Sequence, residues 1–338
     1  MQGCAMFEPI SFIRSVTIEE IYNNLYKYYR VNPDELDLPA SIFRNPMTLI
    51  PCHEVANWYQ NIEVVSGDAD FMFNLSKYVH FDRLGSLGQW FLSAKDLALT
   101  FRRFNYGMSC VQSGAYFYGV QNGKILKWTY NTDSFSGRAR FHDSVRVLLL
   151  MIGLLRKYLG DDFCPLKVCL PYRSEQRKRY EAFFGCEVEW NSPRTELWLN
   201  ITTVTNQHYV EYQPDNQAGM NFGYLDNYIN MPQPNDHIKV IYELINYSCH
   251  FGTPSLNKVS AMIGLSPQQF QRRLTSLGFN FTNITGYVLC NIAAQLLQHE
   301  TDIEQIAKQL GYQHKSSFVR TFKKYRGLTP SEYIKSLQ

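Results

Sequence analysis

The C-terminal part of this chain repeats itself. Lys258-Val259-Ser260-Ala261-Met262-Ile263-Gly264-Leu265 aligns with Gln305-Ile306-Ala307-Lys308-Gln309-Leu310-Gly311-Tyr312 at an offset of 47 residues. After one inserted residue, Phe270-Gln271-Arg272-Arg273-Leu274 aligns with Phe318-Val319-Arg320-Thr321-Phe322. A duplicated unit is a strong constraint, because both copies must form the same local structure and each must find a surface on which to bury its apolar face. Each copy reads as a short amphipathic helix, a glycine, a tight turn and a second helix with apolar anchors. Gly264 and Gly311 stand where the chain must leave the first helix with positive φ, which a residue lacking Cβ does at least cost. Ser266-Pro267 supplies an N-cap and a first helical residue for the second helix.

This is helix-turn-helix grammar, in which the second helix enters the DNA major groove. The motifs span about 255–278 and 302–326, joined by a connecting helix from Ile284 to Leu297. With Phe270, Leu274 and Leu277 facing the core, Gln268, Gln271 and Arg272 project outward. With Phe318 and Phe322 facing inward, Lys315, Ser316 and Arg320 project outward in the second copy. Gln matches adenine N6/N7 and Arg matches guanine O6/N7, each good bidentate pair contributing about 1–3 kcal/mol of discrimination. Arg273, Lys323 and Lys324 are assigned to phosphates, which position a protein without reading sequence. An ordinary solvated face would explain any one of these charges; the repetition favours DNA. For both second helices to enter the groove on one DNA face they must lie about 34 Å apart, with bending of the DNA where it is needed.

The net charge of +3 hides this polarity. Residues 235–338 carry 11 Lys plus Arg against 6 Asp plus Glu, leaving 22 against 24 for residues 1–234. Apolar residues at 45% and charged residues at 19% exclude a predominantly disordered chain, and 338 residues predict two domains. Glu8 and Pro9 make a poor signal peptide, and the longest apolar run, Val147 to Leu155, is about half a membrane span. No membrane partner and a cytoplasmic location are therefore expected. The eight cysteines show neither CxxC pairs nor zinc spacing, so reduced thiols, no metal and no cofactor are expected. A redox switch at the closest pair, Cys164 and Cys169, is less economical than buried, inert thiols.

The N-terminal region reads as helix first and strand later. Ile18, Ile21, Leu25 and Tyr29 share one face of a helix from Thr17 to Tyr29. Further helices are expected over Pro51 to Val65, Asp70 to Tyr78 and Leu87 to Phe104, the last closed by Gly107. Cys110 to Val120 and Ile125 to Tyr130 flank Asn122-Gly123, a strong hairpin signal. A helix from Arg140 to Leu159, a strand from Leu166 to Leu170, a helix from Glu175 to Phe184 and strands at Glu187 to Trp190 and Glu196 to Ile201 follow. The expected fold is an α+β N-terminal domain, helical in its first half with a mainly antiparallel sheet and packed helices, plus an all-α C-terminal domain with two helix-turn-helix motifs. The boundaries are 1–205 for the regulatory domain, 206–234 for a Pro- and Asn-rich linker, and 235–338 for the DNA-binding domain. Arg102, Tyr116, Tyr118, Trp128 and Tyr130 are candidates to line an effector site, against the simpler reading of aromatic core and surface ion pairing. His53, His80, His142 and His208 lack a metal spacing.

The stretch Ile306-Ala307, Leu310-Gly311-Tyr312, Ser317-Phe318, Arg320-Thr321-Phe322-Lys323-Lys324, Gly327 and Thr329-Pro330-Ser331-Glu332-Tyr333 closely resembles the C-terminal signature of the AraC/XylS family of bacterial transcription regulators. Tyr312 replaces the family's usual Phe, and Arg326 stands where a small polar residue is commoner. Leu84-Gly85-Ser86-Leu87-Gly88 and Phe183-Phe184-Gly185-Cys186 resemble the subgroup with an arabinose-binding-type N-terminal domain found in ornithine and arginine regulators. The resemblance points to the same six outward residues of the second helices. It implies a sequence-specific regulator of double-stranded promoter DNA, an N-terminal domain that senses a small-molecule effector, and contact with RNA polymerase if the output is activation. It also implies a homodimer, although no heptad run marks a coiled coil. Gating by a protein partner instead of a metabolite is the alternative. A DNA-repair enzyme with a DNA-binding tail of this type would need clustered Cys ligands or a Pro-Cys-His nucleophile motif. Pro51-Cys52-His53 spells that triplet, but Cys4, Cys52 and Cys110 are widely spaced, and no Ser-His-Asp signature, phosphate loop or metal helix motif appears, so no catalytic residue is expected.

Overall fold

The computed structural model describes residues 7–75, 80–205, 230–233, 236–298 and 302–337. These fall into two compact units, Ser11–Met231 and Pro232–Gln338, the second joined by the N-terminal residues up to Ile10. Most of the expected linker, together with Cys4 and His208, lies outside the described residues.

In the first unit, β1 (Phe12–Arg14) leads through a 3-10 turn at Ser15–Thr17 into α1 (Glu19–Tyr29). Ile18, Ile21 and Leu25 are buried along one face of this segment, as the spacing requires. β2 (Leu49–Pro51) pairs antiparallel with β1 and runs directly into α2 (Cys52–Ser66). The expected helix from Asp70 to Tyr78 is described as α3 (Phe71–Asn74), and residues 76–79 lie outside the described set.

The long helix expected from Leu87 to Phe104 is two helices, α4 (Gly85–Leu92) and α5 (Leu97–Gly107). The break is local chemistry. Asp96 adopts an extended conformation and its carboxylate accepts the Leu99 amide at 2.7 Å, which caps a new helix. Gly107 is itself the last residue of α5, and the strand expected from Cys110 starts only at Ala115, after a 3-10 turn at Met108–Cys110.

The sheet is built from β3 (Ala115–Asn122), β4 (Ile125–Thr132), β5 (Lys167–Cys169), β6 (Val188–Glu189) and β7 (Thr195–Asn200), in the order β3-β4-β7-β5-β6. All pairs are antiparallel except β5 with β6. The β3–β4 hairpin closes at Gly123 with φ +58°, in register Asn122↔Ile125. The long helix α6 (Gly137–Leu159) packs against the sheet, and every residue from Phe141 to Ile152 is buried. The apolar run at Val147 to Leu155 thus belongs to a core helix. No helix among the described residues is long and apolar enough to cross a membrane. Two short helices, α7 (Arg177–Phe184) and α8 (Ile201–Thr205), also belong to the unit.

The second unit is helical: α9 (His237–Ser248), α10 (Leu256–Met262), α11 (Pro267–Ser276), α12 (Phe281–Leu296), α13 (Ile303–Gln309), α14 (Lys315–Arg326) and α15 (Pro330–Ser336). The repeat becomes α10–turn–α11 and α13–turn–α14, and α12 is the connecting helix.

Candidate nucleic-acid interface

The two copies share their backbone chemistry. Ser255 caps α10 by accepting the Lys258 amide, and Asp302, at the aligned position, caps α13 by accepting the Glu304 and Gln305 amides. Each first helix ends in the same pair of hydrogen bonds. Gly264 donates to Ala261 and Leu265 to Ser260; Gly311 donates to Lys308 and Tyr312 to Ala307. Gly264 and Gly311 have φ of +66° and +82°, so both turns need the left-handed conformation. Val259 and Ile306 are fully buried at equivalent positions, as are Phe270 and Phe318 and, one turn later, Leu274 and Phe322.

These anchors set which faces of α11 and α14 stay open. On α11, Gln268 and Arg272 are exposed, while Gln271 and Arg273 are half-buried on its flanks. Leu277 does not face the core as the sequence pattern predicts. It follows the last helical residue, where the 3.6-residue period no longer applies, and is 42% exposed. On α14, Lys315, Ser316, Arg320, Lys323 and Lys324 are all exposed. Arg272 and Arg320 occupy the same place relative to their anchors.

An open surface on α11 brings together Gln268, Gln271 and Arg272 with Thr275 and Ser276. Sequence reading missed the last two, although the register that equates Arg272 with Arg320 also equates Thr275 with Lys323 and Ser276 with Lys324. The helix starts differ too. Ser266 and Gln269 form a reciprocal capping box, with Ser266 N to Gln269 Oε1 at 2.9 Å, so Gln269 is held at the helix start. At the equivalent position His314 makes no side-chain cap among the described residues, so α14 starts without the box that closes the start of α11. Arg326, the departure noted in the sequence, ties the elements together. Its guanidinium donates to Asn291 Oδ1 at 2.6 Å, and Asn291 Nδ2 donates to the Tyr242 hydroxyl at 2.7 Å.

The effector candidates of the first unit do not converge on one wall. The register Phe117↔Tyr130 and Gly119↔Trp128 puts Trp128 and Tyr130 on the inner face of the hairpin, fully buried. Tyr116 and Tyr118, paired with Asn131 and Thr129, lie on the opposite face, and Arg102 is exposed on α5. Tyr130 instead joins a buried polar cluster. Its hydroxyl donates to Asp143, which accepts from Arg146 Nη2 at 2.6 Å, and Gln112 bridges Arg146 and Tyr130 at 2.7 and 2.9 Å. His142 is buried beside it with Nε2 2.6 Å from Glu63 Oε2. Burial pushes its imidazole down to about 4 despite that carboxylate. Nδ1 has no partner among the described residues, so a second ring proton would be a buried unpaired donor, and the neutral ring donates from Nε2. Cys169 is likewise buried, and burial pushes its thiol up to about 12.

Residues 34–204 match the family described as the arabinose-binding domain of AraC transcription regulator, N-terminal, and residues 259–336 match a helix-turn-helix domain. The chain is 33% identical over 104 residues to the HTH-type transcriptional regulator RipA of Corynebacterium diphtheriae, covering 30% of each chain. It is 27% identical over 106 residues to the HTH-type transcriptional regulator GadX of Escherichia coli K12, covering 31% of this chain and 38% of that one. The matched stretches thus span about a third of these relatives. The crystal structure of the transcriptional regulator CdpR from Pseudomonas aeruginosa aligns over 94% of this chain and 98% of that one, at 17% identity and a TM-score of 0.44.

Proposed function

The chain belongs to the AraC-type transcription regulators, with an arabinose-binding-type N-terminal domain and a helix-turn-helix DNA-binding domain, and from that premise we propose that it reads one promoter sequence through α11 and α14 under the control of a small molecule held by the N-terminal domain. The observation that carries the DNA reading is the paired placement of Arg272 and Arg320, exposed at the same position of two helices anchored by the same buried residues. Gln268, Gln271, Arg272, Lys315, Ser316 and Arg320 read base edges, and Arg273, Lys323 and Lys324 hold phosphates. Residues 1–205 are the regulatory part, 206–234 the link and 235–338 the reader. A homodimer on promoter DNA, touching RNA polymerase where it activates, completes the proposal.

A mobility-shift assay of the full-length chain on genomic fragments tests the first half. A small set of fragments should shift at low concentration and release steeply with salt. Uniform binding to all fragments, with and without candidate effectors, overturns it. For the second half, all five tryptophans precede residue 205, so their fluorescence follows the N-terminal unit. An effector should raise the melting temperature by that probe through mass action, and a metabolite library without any such shift speaks for gating by a protein.

A further inference from the structure

The C-terminal unit contains a cleft of about 400 Å³ between the first half of α12, the turn at Gly311 and one flank of α14. That volume lies in the range of small-ligand sites. Phe281, Leu289, Leu310 and Tyr312 give it apolar walls. No Asp or Glu lines it, and its one cationic side chain is Lys324, which is in no ion pair among the described residues.

Thr285 supplies the second observation. It lines the cleft, is 9% exposed, and its hydroxyl has no hydrogen-bond partner among the described residues. A helical threonine ordinarily gives its hydroxyl to the carbonyl four residues back. Thr275 does so to Gln271 at 3.0 Å and Thr321 to Ser317 at 2.9 Å. Thr285 does not, and a buried hydroxyl without a partner is costly unless something else accepts it.

We propose that this cleft binds a small amphipathic carboxylate, and that its occupancy weakens DNA binding. An aromatic ring or short chain packs on the apolar walls while the carboxylate meets the Lys324 ammonium and the Thr285 hydroxyl, which lies beneath the cleft wall and reaches it by rotation about χ1. An uncharged amide of the same shape loses the charge-assisted contact. Lys324 follows Arg320 by one turn of α14, so an anion that holds its ammonium removes that charge from a DNA phosphate. This coupling rests on the DNA-contact reading of Lys324; ligand binding itself does not.

The test uses the full chain with 4-fluorobenzoate as probe, followed by fluorine NMR, and 4-fluorobenzamide as its uncharged control. The benzoate should bind saturably and the amide at least about 10-fold more weakly. Lys324→Gln, at an exposed site that leaves folding intact, should weaken the benzoate by a similar factor, and Thr285→Val, which keeps the shape and removes the hydroxyl, should weaken it several-fold. In parallel, the benzoate should reduce binding of a fluorescein-labelled duplex of mixed sequence at low salt. Thr285→Val should bind the duplex normally but need several-fold more benzoate for the same inhibition. Absence of saturable binding, or binding that both variants leave unchanged, overturns the cleft. A chain that binds no duplex overturns the DNA reading instead, and the NMR titration still decides the cleft.

Discussion

Replacing Asp143 by Asn should cost the N-terminal unit about 3–5 kcal/mol. Asp143 and Arg146 have side chains of 0% exposure, one helical turn apart on α6. The guanidinium gives Asp143 Oδ1 two hydrogen bonds, from Nε at 3.1 Å and Nη2 at 2.6 Å, and Nη2 also reaches Gln112 Oε1 at 2.7 Å. Burial alone would lower the Arg146 pKa, but the Asp143 carboxylate, with Tyr59 and Tyr130, more than reverses this and holds the group charged. Asn keeps the shape and removes the countercharge, leaving a cation in the core, whereas Arg146→Met leaves a carboxylate that Tyr130 and Gln112 still solvate. The double variant Arg146→Met with Asp143→Asn removes both charges and leaves Gln112 bonded to Tyr130 at 2.9 Å. Its cost should fall short of the sum of the single losses by at least about 2 kcal/mol. Urea unfolding followed by tryptophan fluorescence reads this unit alone, because Trp58, Trp90, Trp128, Trp190 and Trp198 all lie in it. With a slope of roughly 1–3 kcal/mol per molar, Asp143→Asn should move the midpoint by on the order of 1–5 M. A loss below about 1 kcal/mol, or additive single and double variants, would mean that water reaches the pair and would refute the reasoning.

Other consequences are accessible to measurement. Arg272→Ala or Arg320→Ala should cost about 1–3 kcal/mol on the cognate promoter and relax specificity at one base pair, whereas Lys323→Ala should weaken all sequences alike and lower the salt slope by about 0.9; competition titrations at several salt concentrations separate the two patterns. Gly264→Ala meets only the strain of φ +66°, about 1 kcal/mol, because nothing lies within 4 Å of its new methyl group. Gly311→Ala adds a collision with the Thr253 side chain to the same strain, so hydrogen exchange in the full chain should show 302–326 opened more by the second variant than 255–278 by the first. His142, at about 4 when folded against an ordinary 6.5, binds its proton mainly in the unfolded state between those values. Stability is therefore complete above about pH 6.5 and lost as pH falls toward 4, by up to about 3 kcal/mol, and a His142→Phe unfolding series that keeps the same pH slope would contradict the buried neutral ring.

What the sequence made legible was chemistry contained within a few residues. Asn122-Gly123 announced its hairpin, Ser266-Pro267 its helix start, and the run at Val147 to Leu155 a buried helix. Asp96 escaped notice because apolar residues continue on both sides of it, and only its extended backbone turns it from an interior residue into a cap. The Arg146 cluster was beyond reach for another reason: Gln112 and Tyr130 join it from a loop and a strand whose register no local pattern encodes. Register also separates Tyr116 and Tyr118 from Trp128 and Tyr130, residues that composition alone makes one aromatic group. The same limit applies to the repeat, which reveals what the copies share and hides what distinguishes them. Once Arg272 is superposed on Arg320, the second helix carries Lys323 and Lys324 where the first carries Thr275 and Ser276, and an uncapped His314 where the first has the Ser266 box. Two similar backbones thus present different electrostatics. On the DNA reading, the first copy offers mainly donors and acceptors that discriminate bases, while the second adds the phosphate contacts that dominate affinity and its salt dependence.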